Sequence, residues 1–262
     1  MTTEGPLLVL AGAGSGKTRV ITHRIVQLLD QGVSGRSILA MTFTNKAAAE
    51  MKERVVKMAG QRALGVTLST FHAFGSELLR EHLSKLGWPK KFAITDTGDQ
   101  LALIRRGMRE RQIDDKTFDP RKILTLISRA KNSGQVPEAS DDEMSDDLDL
   151  AAHLVYPLYQ LALKAQGAVD FDDLIVYPSQ ILDRFTDVRA AYAKRFRYIM
   201  VDEYQDTNIA QLRLLTLLAG EHRNLCVVGD DDQCLYSWRG AEVRTILEFE
   251  RHFPGAKEVR LE

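Results

Sequence analysis

Short runs of almost unbroken apolar residues, each followed by a stretch of helical periodicity, recur along this chain and constrain its fold more than any other feature. Leu7 to Leu10 precedes a glycine-rich turn and then Thr18 to Leu29, where Ile21, Ile25, Leu28 and Leu29 fall at helical spacing. Ser37 to Phe43 reads as a strand, Asn45 to Ala59 as a helix, Val66 to Thr70 as a strand and Phe71 to Leu86 as a helix. Farther on, the strands Tyr198 to Asp202 and Leu225 to Gly229 bracket a helix from Ile209 to Leu218. A strand that is apolar at nearly every position, not at alternate ones, must be covered on both faces. The pattern predicts an α/β fold with a parallel sheet between helices.

From about Trp88 to Arg189 the pattern changes to helical periodicity with no clear strand. Asp119 followed by Pro120 reads as the cap and first residue of a helix that stops at Ser133-Gly134. The organisation expected is one α/β domain built from residues 1–88 and 190–262, interrupted by an all-helical inserted subdomain over 89–189.

Charge is informative only locally, because the formal net charge is −1. Residues 90–131 carry 11 basic and 6 acidic side chains, while 138–149 carry seven acidic and no basic ones. The basic stretch reads either as a surface that tracks phosphates or as a solvated helix face, and the acidic one as a solvated loop. Two cysteines exclude a disulfide framework and a four-ligand zinc site, which fits a reducing compartment. No apolar run reaches the roughly 18 residues needed to span a membrane. Nor does a basic residue precede Lys17, so the apolar Pro6 to Ala13 lacks the basic region of a secretion signal. A cytoplasmic protein with no membrane partner is expected.

The turn after the first strand runs Ala11-Gly12-Ala13-Gly14-Ser15-Gly16-Lys17-Thr18 and opens a helix, the context of a Walker A phosphate loop. Its glycines let backbone amides face phosphates, and the helix N-terminus adds partial positive charge. Lys17 would reach the β- and γ-phosphates, and Thr18 would ligate magnesium. Ala11 stands where the pattern wants glycine. Asp202-Glu203, at the C-terminal end of a buried strand, lies where open α/β sheets bind ligands. Asp202 would hold Mg²⁺, directly or through water, and Glu203 would deprotonate the attacking water. Taken alone the acidic pair also fits a helix cap. Together with Lys17 and Thr18 it predicts nucleoside triphosphate hydrolysis.

Three further segments narrow the class: Thr42 to Arg54 (TFTNKAAAEMKER), Ser69 to Phe74 (STFHAF) and Val228 to Ala241 (VGDDDQCLYSWRGA). With Val201-Asp-Glu-Tyr-Gln-Asp-Thr-Asn208 and the Asp170-Phe-Asp-Asp-Leu174 run, the chain resembles the superfamily 1 DNA helicases of the Rep/UvrD/PcrA type. The resemblance implies a RecA-like P-loop NTPase domain using ATP and Mg²⁺, with single-stranded DNA and DNA junctions as partners and 3′ to 5′ polarity. Gln233 matches a catalytic glutamine that touches the γ-phosphate, and Arg19 an arginine that stacks under adenine. Phe43, Tyr236 and Trp238 match aromatics that stack on single-strand bases, and Thr70 and His72 match residues lining the same strand. From the residues alone, Phe43 also reads as core, His72 as a capping or core histidine, Tyr236 as a packing residue and Arg19 as solvated. Cys234 departs from the serine usual after the glutamine.

Helicases of this type have a second RecA-like domain that contributes arginine fingers, and this sequence stops at Glu262, where their next motif begins. A fragment lacking that domain is therefore expected. The alternatives are an ATP-gated single-strand binding module without motor activity and the helicase part of a recombination nuclease.

Overall fold

The computed structural model describes residues 3–12, 16–134, 147–230, 246 and 248–261. The chain forms two compact units, Met1–Phe74 with Leu182–Glu262 and Gly75–Ile181. The divisions fall inside helices, at 74/75 and 181/182, ahead of the changes of pattern near 88 and 189.

The first unit is built on six strands: β1 (Leu7–Ala11), β2 (Ile38–Thr42), β3 (Thr67–Thr70), β6 (Tyr198–Val201), β7 (Leu225–Gly229) and β8 (Lys257–Leu261). Their order across the sheet is β3-β2-β6-β7-β1-β8, and every pairing is parallel. β1, β2, β6 and β7 are buried at every position, which is why they carry unbroken apolar runs. Against one face lie α1 (Lys17–Asp30) and α2 (Asn45–Ala59). Ile21, Ile25 and Leu28 of α1 and Val55 of α2 are fully buried there against Val9, Ala40, Met200 and Val228. Burial of each such side chain contributes about 1.5–3 kcal/mol, so truncating Ile25 to alanine is expected to cost about 2–5 kcal/mol. Thr44 caps α2 by accepting from the Ala47 amide at 3.1 Å. The helix Ile209–Ala219 starts on a reciprocal capping box between Asn208 and Gln211.

The edge strand β8 is absent from the apolar pattern because its Lys-Glu-Val-Arg-Leu sequence is exposed throughout. It is held by parallel pairing with β1, from Leu7 opposite Lys257 to Ala11 opposite Leu261.

The second unit packs α4 (Thr97–Glu110), α5 (Pro120–Ser133) and α6 (Asp147–Ala165) around Ile104, Met108, Ile123, Val155, Tyr159 and Leu163. It is not all-helical. β4 (Ala93–Ile94) pairs in parallel with β5 (Ala168–Val169), supported by the Thr95 amide donating to the Val169 carbonyl at 2.8 Å. Two-residue strands, one of them exposed, leave no periodic signature. Lys131, the last basic residue of the stretch 90–131, is not on a solvated face. It is fully buried and donates to Asp170 at 2.6 Å and Asp173 at 2.8 Å, while the Tyr159 hydroxyl donates to Asp170 at 2.8 Å. The Asp170 to Leu174 run therefore ties α5 and α6 to the start of α7 (Asp173–Arg184). Among the described residues no helix is long and apolar enough to cross a membrane.

Candidate active site

In a parallel sheet all strands deliver their C-terminal ends to one edge, and β1, β6 and β7 are neighbours there. The chain leaves β1 and enters α1 through Gly16, whose φ of 87° is left-handed and suits a residue without a Cβ. Lys17 and Thr18 then occupy the first turn of α1. The Thr18 hydroxyl donates to Asp202 Oδ2 at 2.9 Å, and the other Asp202 oxygen accepts from the Glu203 amide at 3.1 Å. Asp202 is itself pinned to the neighbouring strand, its amide donating to the Met41 carbonyl at 3.0 Å. Burial pushes its carboxyl above the usual range, although the Thr18 hydrogen bond acts the other way.

Glu203 is one of three described non-glycine residues with positive φ, at 53°. That conformation costs about 1–2 kcal/mol and turns the chain from β6 directly into the single helical turn Tyr204–Asp206. A ring of polar contacts closes around it. Lys17 Nζ lies 2.7 Å from Asp230 Oδ2 and 3.8 Å from Glu203 Oε2. The Asp230 amide donates to Gln205 Oε1 at 3.1 Å, and Gln205 Nε2 donates to Glu203 Oε2 at 2.6 Å. Asp230 and Gln205 were not among the candidate residues read from sequence. Asp230 had a signal, since it follows a buried strand as Asp202 does; Gln205 had none beyond its motif.

The remaining candidates distribute along the same edge. Ala11 ends β1 with 1% exposure and pairs with Leu261, so the backbone there is strand and asks for no glycine. Gly12 follows it, and Ala13, Gly14 and Ser15 lie outside the described residues. Arg19 is exposed on α1 at the mouth of a cavity of about 550 Å³ whose walls include Leu7, Val9, Val20, Cys226 and Leu261. Phe43 leaves β2 half-buried, its ring 5.5 Å from that of Phe71. Thr70, one strand farther, is buried and its hydroxyl accepts from the Ala73 amide at 3.2 Å, starting α3 (Phe71–His82). His72 is partly exposed in the first turn of that helix. Gln233, Tyr236 and Trp238 lie outside the described residues.

The family model for the UvrD/REP helicase N-terminal domain matches residues 1–254. Over 262 residues the chain is 47% identical to the ATP-dependent DNA helicase PcrA of Staphylococcus aureus and 47% identical to that of Staphylococcus epidermidis. Each comparison covers 100% of this chain and 36% of the relative, so the chain spans about a third of the length of the curated relatives it matches. A family match that takes in five of the six strands of the parallel sheet, the residues at their C-terminal ends and the inserted unit alike means that this chain belongs to the UvrD/REP helicase N-terminal domain family.

Proposed function

We propose that this chain binds Mg·ATP at the ends of β1, β6 and β7 and single-stranded DNA beside them, as the nucleotide-hydrolysing part of an ATP-dependent DNA helicase moving 3′ to 5′. The observation that carries the reading is the pairing of Lys17-Thr18 with Asp202-Glu203, two dipeptides 184 residues apart in sequence that share one hydrogen-bonded cluster.

Thr18 and Asp202 would hold the magnesium ion. A hydroxyl and a carboxylate already in contact are hard oxygen donors of the kind Mg²⁺ prefers, and the ion commonly completes its shell with phosphate oxygens and water. Among the described residues no group of three or more His, Cys, Asp or Glu side chains could hold a metal without such help. Magnesium held by Thr18 and Asp202 would supply positive charge against the developing negative charge of the phosphates. The first-turn amides of α1 face the phosphates, and Lys17 exchanges Asp230 for a phosphate oxygen. Glu203 accepts a proton from water as the water oxygen bonds to the γ-phosphorus. The bond from phosphorus to the bridging oxygen breaks, and its electron pair leaves with ADP.

Phe43 would stack on a base, with Thr70 and His72 along the same strand of DNA. Arg19 would lie against adenine, and Gln233, Tyr236 and Trp238 would sense the γ-phosphate and bases as the family resemblance implies. Unwinding in this reading needs a second RecA-like domain as partner, whose arginines are worth about 10³–10⁵ in rate.

Titration with a fluorescent ATP analogue tests the reading. Native protein is expected to bind it and Lys17→Ala to lose binding; an unchanged titration with Lys17→Ala removes the nucleotide assignment. The 262 residues alone are expected to turn over ATP far below the median enzyme rate of about 10 s⁻¹, with or without oligo(dT).

A further inference from the structure

Gln205 sits in the single turn after β6, 6% exposed, between two groups of opposite character. On one side is the Asp230 amide, which can only donate; on the other is the Glu203 carboxylate, which when ionised can only accept. A primary carboxamide meets both at once. Gln205 Oε1 accepts from Asp230 at 3.1 Å while Nε2 donates to Glu203 Oε2 at 2.6 Å, and the two partners fix which way the amide faces. Gly229 keeps the seat open, because a Cβ at that position would stand 3.1 Å from Gln205 Oε1 and 2.9 Å from an Ile246 methyl.

Glu203 needs such a hold. Its side chain is 37% exposed, and Lys17 is 3.8 Å away, beyond a strong hydrogen bond. A glutamate in that position has several rotamers within reach. The left-handed backbone of Glu203 sets where its side chain begins, and the Gln205 amide sets where it ends.

We infer that Gln205 is a positioning residue for hydrolysis: it fixes the Glu203 carboxylate through Oε2, registers it to the end of β7, and leaves Oε1 to take the proton of the attacking water. The inference rests on the reading of Glu203 as the base.

The test uses the full-length polypeptide with Mg·ATP and oligo(dT), and follows kcat, KM and, separately, affinity for a fluorescent non-hydrolysable ATP analogue. Glu203→Gln is expected to lower kcat by roughly 10²–10⁴. Gln205→Met is expected to lower kcat roughly 10–100-fold, the scale for partners that orient a working ligand, with KM and analogue affinity nearly unchanged. Gln205→Glu keeps the acceptor for the Asp230 amide but sets a second carboxylate against Glu203 where the donor stood; it guards against a folding failure of the methionine variant and is expected to lower kcat at least as far, with analogue affinity again nearly unchanged. In a Glu203→Gln background neither change lowers kcat further, because a residue that acts through Glu203 has nothing left to position. Analogue affinity falling in step with kcat, or losses that multiply in the double variants, overturns the assignment. Turnover that survives Glu203→Gln instead removes Glu203 as the base, and the inference falls with it.

Discussion

Lys17 donates to a carboxylate oxygen of Asp230 at 2.7 Å, and Asp230 is fully buried, so the first residue of α1 is pinned to the residue that leaves β7. In the proposed reading, an ammonium that would meet a phosphate is thereby given an anionic partner beforehand. Removing one member of a buried pair strands the other and costs about 3–5 kcal/mol; the Lys17 side chain is 10% exposed, which argues for the lower end. Asp230→Asn is therefore expected to lower the unfolding midpoint of the nucleotide-free protein. Saturating Mg·ATP should shrink the deficit, because phosphate then supplies the charge that Asp230 supplied. Unfolding scans with and without nucleotide check this, and an equal deficit in both means that the carboxylate is no stand-in for phosphate.

Phe43 separates a packing role from a DNA-binding role by magnitude. A core phenylalanine truncated to alanine costs about 3–5 kcal/mol of stability, whereas a base-stacking ring costs about 1–3 kcal/mol of single-strand affinity. Phe43 touches Phe71 yet is only half-buried. Phe43→Ala is expected to weaken oligo(dT) binding within the stacking range while moving the unfolding midpoint little. A large loss of stability with intact DNA affinity assigns the ring to the core.

Arg105, Arg106 and Arg109 all lie on the exposed face of α4, opposite Ile104 and Met108. If that face tracks duplex phosphates, each neutralised phosphate contributes about 0.9 to the log–log salt slope of binding. Charge reversal at the three positions should flatten the slope, least at Arg106, which already bonds Glu110 at 3.0 Å. A slope that does not move returns the arginines to solvent.

The buried triad in the second unit makes stability depend on pH. One ammonium faces two carboxylates. Burial pushes Asp170 up, but the Lys131 charge and hydrogen bonds outweigh it and hold that carboxyl below its usual range. Burial dominates at Asp173 and pushes it up to about 7. A raised carboxyl means that the folded state binds the proton more tightly, so its stability is present below the unfolded value and lost as pH rises through about 7. Urea unfolding near pH 5 and near pH 8 should show the native protein losing stability over that window. Asp173→Asn should flatten the dependence. Lys131→Met, which leaves both acids without a counterion, should destabilise at neutral pH by about 3–5 kcal/mol.

Which of these features the amino-acid sequence discloses follows from the range of the interactions that make them. Lys17 and Thr18 are legible because strand, turn and helix start are local, and Asp202 because a buried strand announces its own end. Even the departure at Ala11 is harmless for a local reason, since that residue is strand. Gln205 and Asp230, 25 residues apart, meet only where the ends of β6 and β7 lie side by side, through a backbone amide that no motif encodes. Lys131 reads as one more surface charge until Asp170 and Asp173, some forty residues on, are folded around it. β8 pairs with β1 through its backbone while its side chains stay in water, and periodicity cannot see a backbone.

The position of β1 in the sheet also dictates an order of events during synthesis. Its two neighbours are β7 and β8, so Leu7 waits for Cys226 and Lys257 before its backbone has any partner. At about 5–20 residues per second a ribosome takes roughly ten to forty seconds to make the intervening chain. Through that interval five residues that end fully covered, Leu7 to Ala11, remain an unpaired apolar segment on the nascent chain. Pairings of such long sequence separation form slowly even once both partners exist. The nascent chain thus carries an uncovered apolar segment throughout that interval, and in the proposed reading nucleotide can offer it no help, because the loop that would grip phosphate has no anchored strand to spring from until β7 arrives.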